Sequence, residues 1–138
     1  MPKKFVLHPK LEQDTVPVTD LSFCTVRLMD DRRFPWIILV PKLADLREIH
    51  RLEKRMRGIL IEEIAECASA MEREYSADKM NVAALGNMVP QLHIHIIARF
   101  EGDAAWPGPV WGVGEPQPYG DLMPAEVRRI REILHGAG

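Results

Sequence analysis

From Leu52 to Tyr75 apolar residues return at three- and four-residue steps: Leu52, Met56, Ile59, Leu60, Ile64, Cys67, Ala68, Met71 and Tyr75. A helix gathers such a series onto one face, so the middle of the chain is committed to one long amphipathic helix, read from Asp45 to about Ser76. The charged residues Glu53, Lys54, Arg57, Glu62, Glu63, Glu66 and Arg73 fall mostly between the apolar positions and read as its solvated face. Leu46 and Ile49 suggest an initial helical segment of their own. His50, among them, reads as a structural or surface histidine.

Strand-like runs bracket this helix in pairs. Ser22 to Met29 and Trp36 to Val40 are separated by the polar turn Asp30-Asp31-Arg32-Arg33 and closed by Pro41. Met80 to Leu85 and Gln91 to Phe100 are joined by Gly86-Asn87-Met88-Val89-Pro90. Two hairpins with a helix between them argue for an α+β fold whose strands run antiparallel in pairs. From Trp106 through Pro118 the chain is dense in Pro, Gly and Trp, which excludes regular helix or a central strand and predicts a long ordered arm. A last helix is predicted from Pro124 to about His135, with proline in its first turn and Gly136 past its end.

The length of 138 residues suits one domain over positions 1–138, with a core at about 21–100 and an arm and helix at 101–138. Eighteen basic residues against 20 acidic give a formal charge of -2, so no global positive field draws the chain to polymeric nucleic acid or an anionic membrane. Arg27, Arg32, Arg33 and Lys42 are either a local patch for a small anion or solvated surface charges. Cys24 and Cys67 lie far apart within apolar-periodic segments and read as small hydrophobes. No apolar run long enough for a signal peptide follows Met1-Pro2-Lys3-Lys4, and none approaches the roughly 18 residues of a membrane helix. The expected location is the cytoplasm.

The segment Gln91-Leu92-His93-Ile94-His95-Ile96-Ile97 carries the chemistry. Side chains alternate faces along a strand, so Gln91, His93 and His95 point one way and Leu92, Ile94 and Ile96 the other. The two imidazoles then lie roughly 7 Å apart at Cβ, close enough to touch one phosphoryl group or one metal ion. By itself an HxH pair is as compatible with a core-edge accident as with a site. Imidazole can attack phosphorus or ligate zinc. A catalytic zinc takes three protein ligands, and His8, His50 and His135 stand at no diagnostic spacing, so a metal centre on His93 and His95 is the weaker reading.

QLHIHII resembles the signature of the histidine triad (HIT) superfamily, in which three histidines alternate with hydrophobic residues on a strand. The resemblance covers about Leu21 to Phe100. More narrowly, VAALGNMVPQLHIHIIARF followed by GDAAWPGPVWG is similar to a bacterial branch with Gln at the first triad position, and to HIT-type diadenosine polyphosphate hydrolases. It implies a HIT-like fold: an antiparallel sheet of about five strands, a long helix between two hairpins and a C-terminal Pro/Trp-rich arm. It also implies metal-independent nucleotidyl chemistry with no cofactor, on a dinucleoside polyphosphate or a nucleoside phosphoramidate.

In that resemblance His93 attacks the α-phosphate and forms a nucleotidyl-histidine intermediate that water resolves. His95 hydrogen-bonds phosphate oxygens. Gln91 retains the main-chain carbonyl that fixes the nucleophile's tautomer but not the imidazole that aids the leaving group. Asp30 matches a ribose-binding position and Asn87 a phosphate-side amide; Arg99 either aids a phosphate or caps the sheet. Where the family often has a further histidine, at the start of the second hairpin strand, this chain has Trp36 and Ile37. Trp106 and Trp111 either reach toward a base or interface or pin the arm. The family's usual homodimer, through the long helix and the adjoining sheet edge, is expected here. The alternatives are a catalytically weak or inactive nucleotide-binding module and a metal-binding protein.

Overall fold

In the computed structural model, which describes residues 3–136, two hairpins merge into one antiparallel sheet because the second strand of each carries apolar residues on both faces. These strands, β3 (Trp36–Pro41) and β5 (Ile94–Arg99), are buried at every residue and pair with each other, Ile38 opposite His95. Outside them lie β2 (Cys24–Met29) and β4 (Lys79–Ala83), and β1 (Thr15–Asp20) adds to β2, giving the order β1-β2-β3-β5-β4. The α+β class and the antiparallel sheet of about five strands expected from the sequence are what the chain adopts.

The pattern-based reading begins at Leu21 and so omits both β1 and the six-residue helix α1 (Pro9–Asp14) before it. Pro17 obscures the strand, because proline lacks the N–H that a central strand must donate. β1 tolerates it by lying at the sheet edge, with a register shift between Pro17 and Thr19.

The long helix, α2 (Lys54–Tyr75), starts nine residues later than its expected Asp45. Asp45 has a left-handed φ of 59°, Ile49–Arg51 is a single 3-10 turn, and Leu46 O accepts from Leu92 N at 2.9 Å. This stretch is a loop held to the segment before β5. The helix ends where Ser76 turns left-handed at φ 52°.

α2 and α3 (Met123–Gly136) cover one face of the sheet, over Val26, Leu28, Ile37, Leu39, Ile94 and Ile96. Glu63, expected on the solvated face, is instead buried: its Oε2 accepts from Phe23 N and its Oε1 from Cys24 N, both at 2.8 Å. A carboxylate there satisfies two backbone donors at the β1–β2 turn that would otherwise be orphaned. Cys24 and Cys67 are free and buried close to it.

The opposite face, Trp36, Ile38, Val40 and Ile97, is covered without any long helix. Phe5, Leu7 and Leu11 from the N-terminal segment and Ala105, Val110 and Trp111 from the Pro-rich arm pack there. The alternation of β5 therefore sends Ile94 and Ile96 under α2 and leaves His93 and His95 beneath the segment and the arm.

Candidate functional site

His93 immediately precedes β5 and His95 is its second residue, so both rings stand on the arm-covered face, with centroids 4.8 Å apart. Each is fixed through Nδ1, but with opposite polarity. His93 Nδ1 lies 2.7 Å from Gln91 O. A carbonyl can only accept, so Nδ1 carries the proton and the neutral ring leaves its lone pair on Nε2. His95 Nδ1 instead faces the Trp36 indole N–H at 3.1 Å. Indole only donates, so this Nδ1 is the unprotonated nitrogen and Nε2 carries the hydrogen. The pair thus offers one lone pair and one N–H donor side by side.

Burial keeps both rings uncharged near neutrality. It pushes His95 down to about 3, with the neighbouring His93 ring adding to the effect. Burial also lowers His93; the Gln91 carbonyl opposes the shift and the neighbouring His8 reinforces it. Around His95 the aromatic rings close edge to face, with Trp111 at 5.0 Å and Trp36 at 5.7 Å between centroids. Trp111 therefore stands at the site and holds the arm there. Trp106, by contrast, packs near the Arg99 guanidinium, 5.9 Å from its ring centre.

Gln91 behaves unlike the two histidines. The Gln91 side chain turns to the N-terminal segment: Nε2 donates to Val6 O at 2.9 Å and Oε1 accepts from His8 N at 2.8 Å. Its main chain serves His93 while its amide holds residues 6–8. No motif reading of QLHIHII alone shows that His8 is brought to this place, since the contact spans 83 positions.

Asp30 follows the last residue of β2 and its Oδ1 accepts from Tyr119 N at 2.9 Å. It shares a cavity of about 330 Å³ with Lys10, Gln13, Asp31, Trp36 and Pro116, so Trp36 links Asp30 to His95. Asp31 is the buried member of the turn, forked by Arg33 at 2.8 Å and 3.0 Å. Burial raises this carboxyl, but the hydrogen bonds from Arg33 and from Gln117 N outweigh it and hold it low. Asn87 is exposed in the loop before β5, beside Gly86, whose φ of 84° suits glycine.

Of the two roles open to Arg99, aiding a phosphate or capping the sheet, the structure supports the structural one. Its side chain is 2% exposed; Nε and Nη2 fork Asp103 at 2.8 and 3.0 Å, Nη1 donates to Asn81 Oδ1, and Nη2 also reaches Gly108 O. It ties the arm to β4 and β5 and has no edge free for an anion. Asp103 in turn accepts from the N–H groups of Phe100, Ala105 and Trp106. Of the cations that could have formed a local patch, Arg27 binds Thr15, Arg33 binds Asp31 and Lys42 binds Leu21 O. Cations gather instead at Lys3, Lys4 and Arg47, around a cavity of about 390 Å³ that His8 and Gln91 also line. Among the described residues no three His, Cys, Asp or Glu side chains are grouped to hold a metal ion.

A five-stranded antiparallel sheet backed by a long helix, with alternating histidines on the other face of an inner strand, defines the class. The chain belongs to the histidine triad family, whose HIT domain matches residues 10–102. It is similar to a histidine triad protein from Marinobacter aquaeolei VT8 at 42% identity and a TM-score of 0.94, over 99% of this chain and 100% of that one. A histidine triad protein from Bradyrhizobium japonicum shares 40% identity at TM-score 0.92, over 96% of this chain and 99% of the other. One from Sinorhizobium meliloti 1021 shares 44% identity at TM-score 0.90, covering 93% and 96% respectively. No match is found among curated proteins. Membership supports a protein of nucleotide-binding or hydrolase type. No helix among the described residues is long and apolar enough to cross a membrane.

Proposed function

We propose that the chain cleaves nucleoside phosphate conjugates at the α-phosphate through a nucleotidyl-His93 intermediate. The observation that carries this is the 2.7 Å contact of His93 Nδ1 with Gln91 O, which puts the lone pair on Nε2. Nε2 forms a bond to phosphorus while the bond from phosphorus to the leaving group breaks and its electron pair departs with that group, as a phosphate anion or, for an amine, with a proton taken from solvent. The ring becomes cationic, and the Gln91 carbonyl stabilises the charge through Nδ1–H. Water then adds to phosphorus and gives up a proton to solvent; the N–P electron pair returns to Nε2 and nucleoside monophosphate is released. His95, neutral and donating from Nε2, hydrogen-bonds a nonbridging oxygen as charge builds.

Asp30 and Trp36 border the cavity that suits the nucleoside, with Asp30 as acceptor for ribose hydroxyls. Asn87 is the remaining amide for the phosphates. The substrate of this class is either a dinucleoside polyphosphate or a nucleoside phosphoramidate. Incubating the protein with diadenosine tetraphosphate and adenosine phosphoramidate, beside a His93→Ala variant, tests the reading: wild type releases nucleoside monophosphate and the variant does not. Equal release from both removes His93 as nucleophile.

A nucleotide-binding module of little or no activity is the second reading, favoured by one observation: the Gln91 amide is spent on Val6 and His8. Nucleotide affinity by calorimetry without turnover of any conjugate would select it. We also propose a homodimer, supported by the apolar Ile61 on α2 and Val82 on edge strand β4, 56% and 47% exposed. Light scattering showing a monomer at working concentration would overturn it.

A further inference from the structure

Gln91 connects three things: the tautomer of His93, the path of residues 6–8 and one wall of the 390 Å³ cavity. A primary amide presents a donor and an acceptor side by side. That matches Val6 O and His8 N, which a passing strand-like segment displays together. The segment so held brings Lys3, Lys4 and His8 to the cavity, and Arg47 comes from the loop after β3. Only Asp45 among these lining residues is acidic; its 3.2 Å pair with Lys3 leaves the two side chains 70% and 76% exposed, so it neutralises little. The volume lies within the ~300–1,000 Å³ range of small-ligand sites.

His8 adds a directed donor. Its Nδ1 accepts from Lys10 N at 3.0 Å, so the neutral ring carries its hydrogen on Nε2. Such a ring can donate a hydrogen bond to an anion but has no spare proton to transfer. The Gln91 amide has none either. A departing amine must take up a proton, whereas a departing phosphate, whose second pKa is about 6, leaves as a stable anion and needs only positive charge and donors.

We propose that the cavity formed by Lys3, Lys4, His8, Arg47 and Gln91 is a subsite for the phosphate chain of the leaving group, which makes oligophosphate conjugates the substrates and phosphoramidates poor ones. The subsite rests on the function proposed above for its catalytic meaning, and on the cavity alone for anion binding. Gln91 belongs to both places, its carbonyl bonded to His93 Nδ1 and its side chain lining the cavity, so the cations stand one residue's width from the nucleophile's ring.

Inorganic tripolyphosphate titrated by calorimetry into the full-length protein tests the site apart from catalysis. Against wild type, the Lys3→Ala/Lys4→Ala/Arg47→Ala variant is expected to bind about ten-fold more weakly or worse, since exposed charge contacts each contribute up to ~1 kcal/mol. A Lys54→Ala/Arg55→Ala/Arg128→Ala variant removes equal charge from exposed positions elsewhere and is expected to bind as wild type does. In turnover, the cavity variant loses kcat/KM on diadenosine tetraphosphate and is unchanged on adenosine phosphoramidate. Equal tripolyphosphate affinity in wild type and the cavity variant, or an equal loss in the control variant, overturns the proposal. If tripolyphosphate binds as expected but no conjugate is turned over, the catalytic reading fails and the anion site stands.

Discussion

Replacing Trp36 with phenylalanine tests how the site sets the two histidines apart. The substitution keeps an aromatic ring against Phe34 and Trp111, whose centroids lie 6.4 and 5.9 Å away, and removes the indole N–H that reaches His95 Nδ1 at 3.1 Å. His95 Nδ1 is then a buried acceptor without a donor. A net hydrogen bond of about 0.5–1.5 kcal/mol is lost, so the bias toward the Nε2–H tautomer falls by roughly two- to thirteen-fold. Turnover should fall by about the same factor, far less than the ~10²–10³ expected when a transition-state donor is deleted outright. The N–H also opposes protonation of Nδ1, so the titration of His95 moves up from about 3 in the variant. Steady-state release of nucleoside monophosphate measures the rate, and ¹⁵N chemical shifts of the imidazole nitrogens report the tautomer. A variant with unchanged tautomer and unchanged kcat would refute the assignment, as would a wild-type His95 with its hydrogen on Nδ1.

Arg99→Met should cost about 3 kcal/mol, because it strands the enclosed Asp103 carboxylate, and should lower the melting midpoint by on the order of 10 °C. An unchanged midpoint would mean the fork does not hold the arm. Acid should destabilise the protein through His95. Its folded value lies below the ordinary 6.5, so the unfolded chain binds a proton between pH 6.5 and about 3 that the native ring refuses, and stability present above 6.5 is lost as pH falls. Between pH 7.5 and 4.5 this amounts to roughly 2–3 kcal/mol in urea unfolding; a His95→Asn variant with the same pH slope would exclude the ring as its source. Glu63→Gln should cost about 2 kcal/mol, since the amide turns an NH₂ toward one of two backbone donors, while the exposed Glu62→Gln stays near zero. Equal unfolding midpoints for the two would remove the buried cap.

The apolar alternation of β5 and the helical period of α2 were legible because each is local: the spacing names the face whatever lies against it. Thus Ile94 and Ile96 under the helix and His93 and His95 on the other side follow from the chain itself. Glu63 was not legible. On a helix surface a carboxylate reads as solvated, and only the β1–β2 turn, about 40 positions away, supplies the donors that bury it. For Arg99 the sequence left a phosphate role and a structural role open for the same reason, since its partners Asp103, Gly108 and Asn81 are brought to it by the arm and by β4.

The sequence by itself determined the class of fold, the histidine pair and the retained carbonyl of Gln91, because periodicity and main-chain chemistry need no distant partner. Tertiary structure decided what each ring can do. The direction of a hydrogen bond on an imidazole nitrogen depends on which group arrives from elsewhere: Trp36 from β3 for His95, and Lys10 N at the head of α1 for His8. It also decided that the Gln91 amide faces the N-terminal segment and that Lys3, Lys4 and Arg47 meet at one cavity. Such meetings cross the chain's long separations, and no local pattern records them.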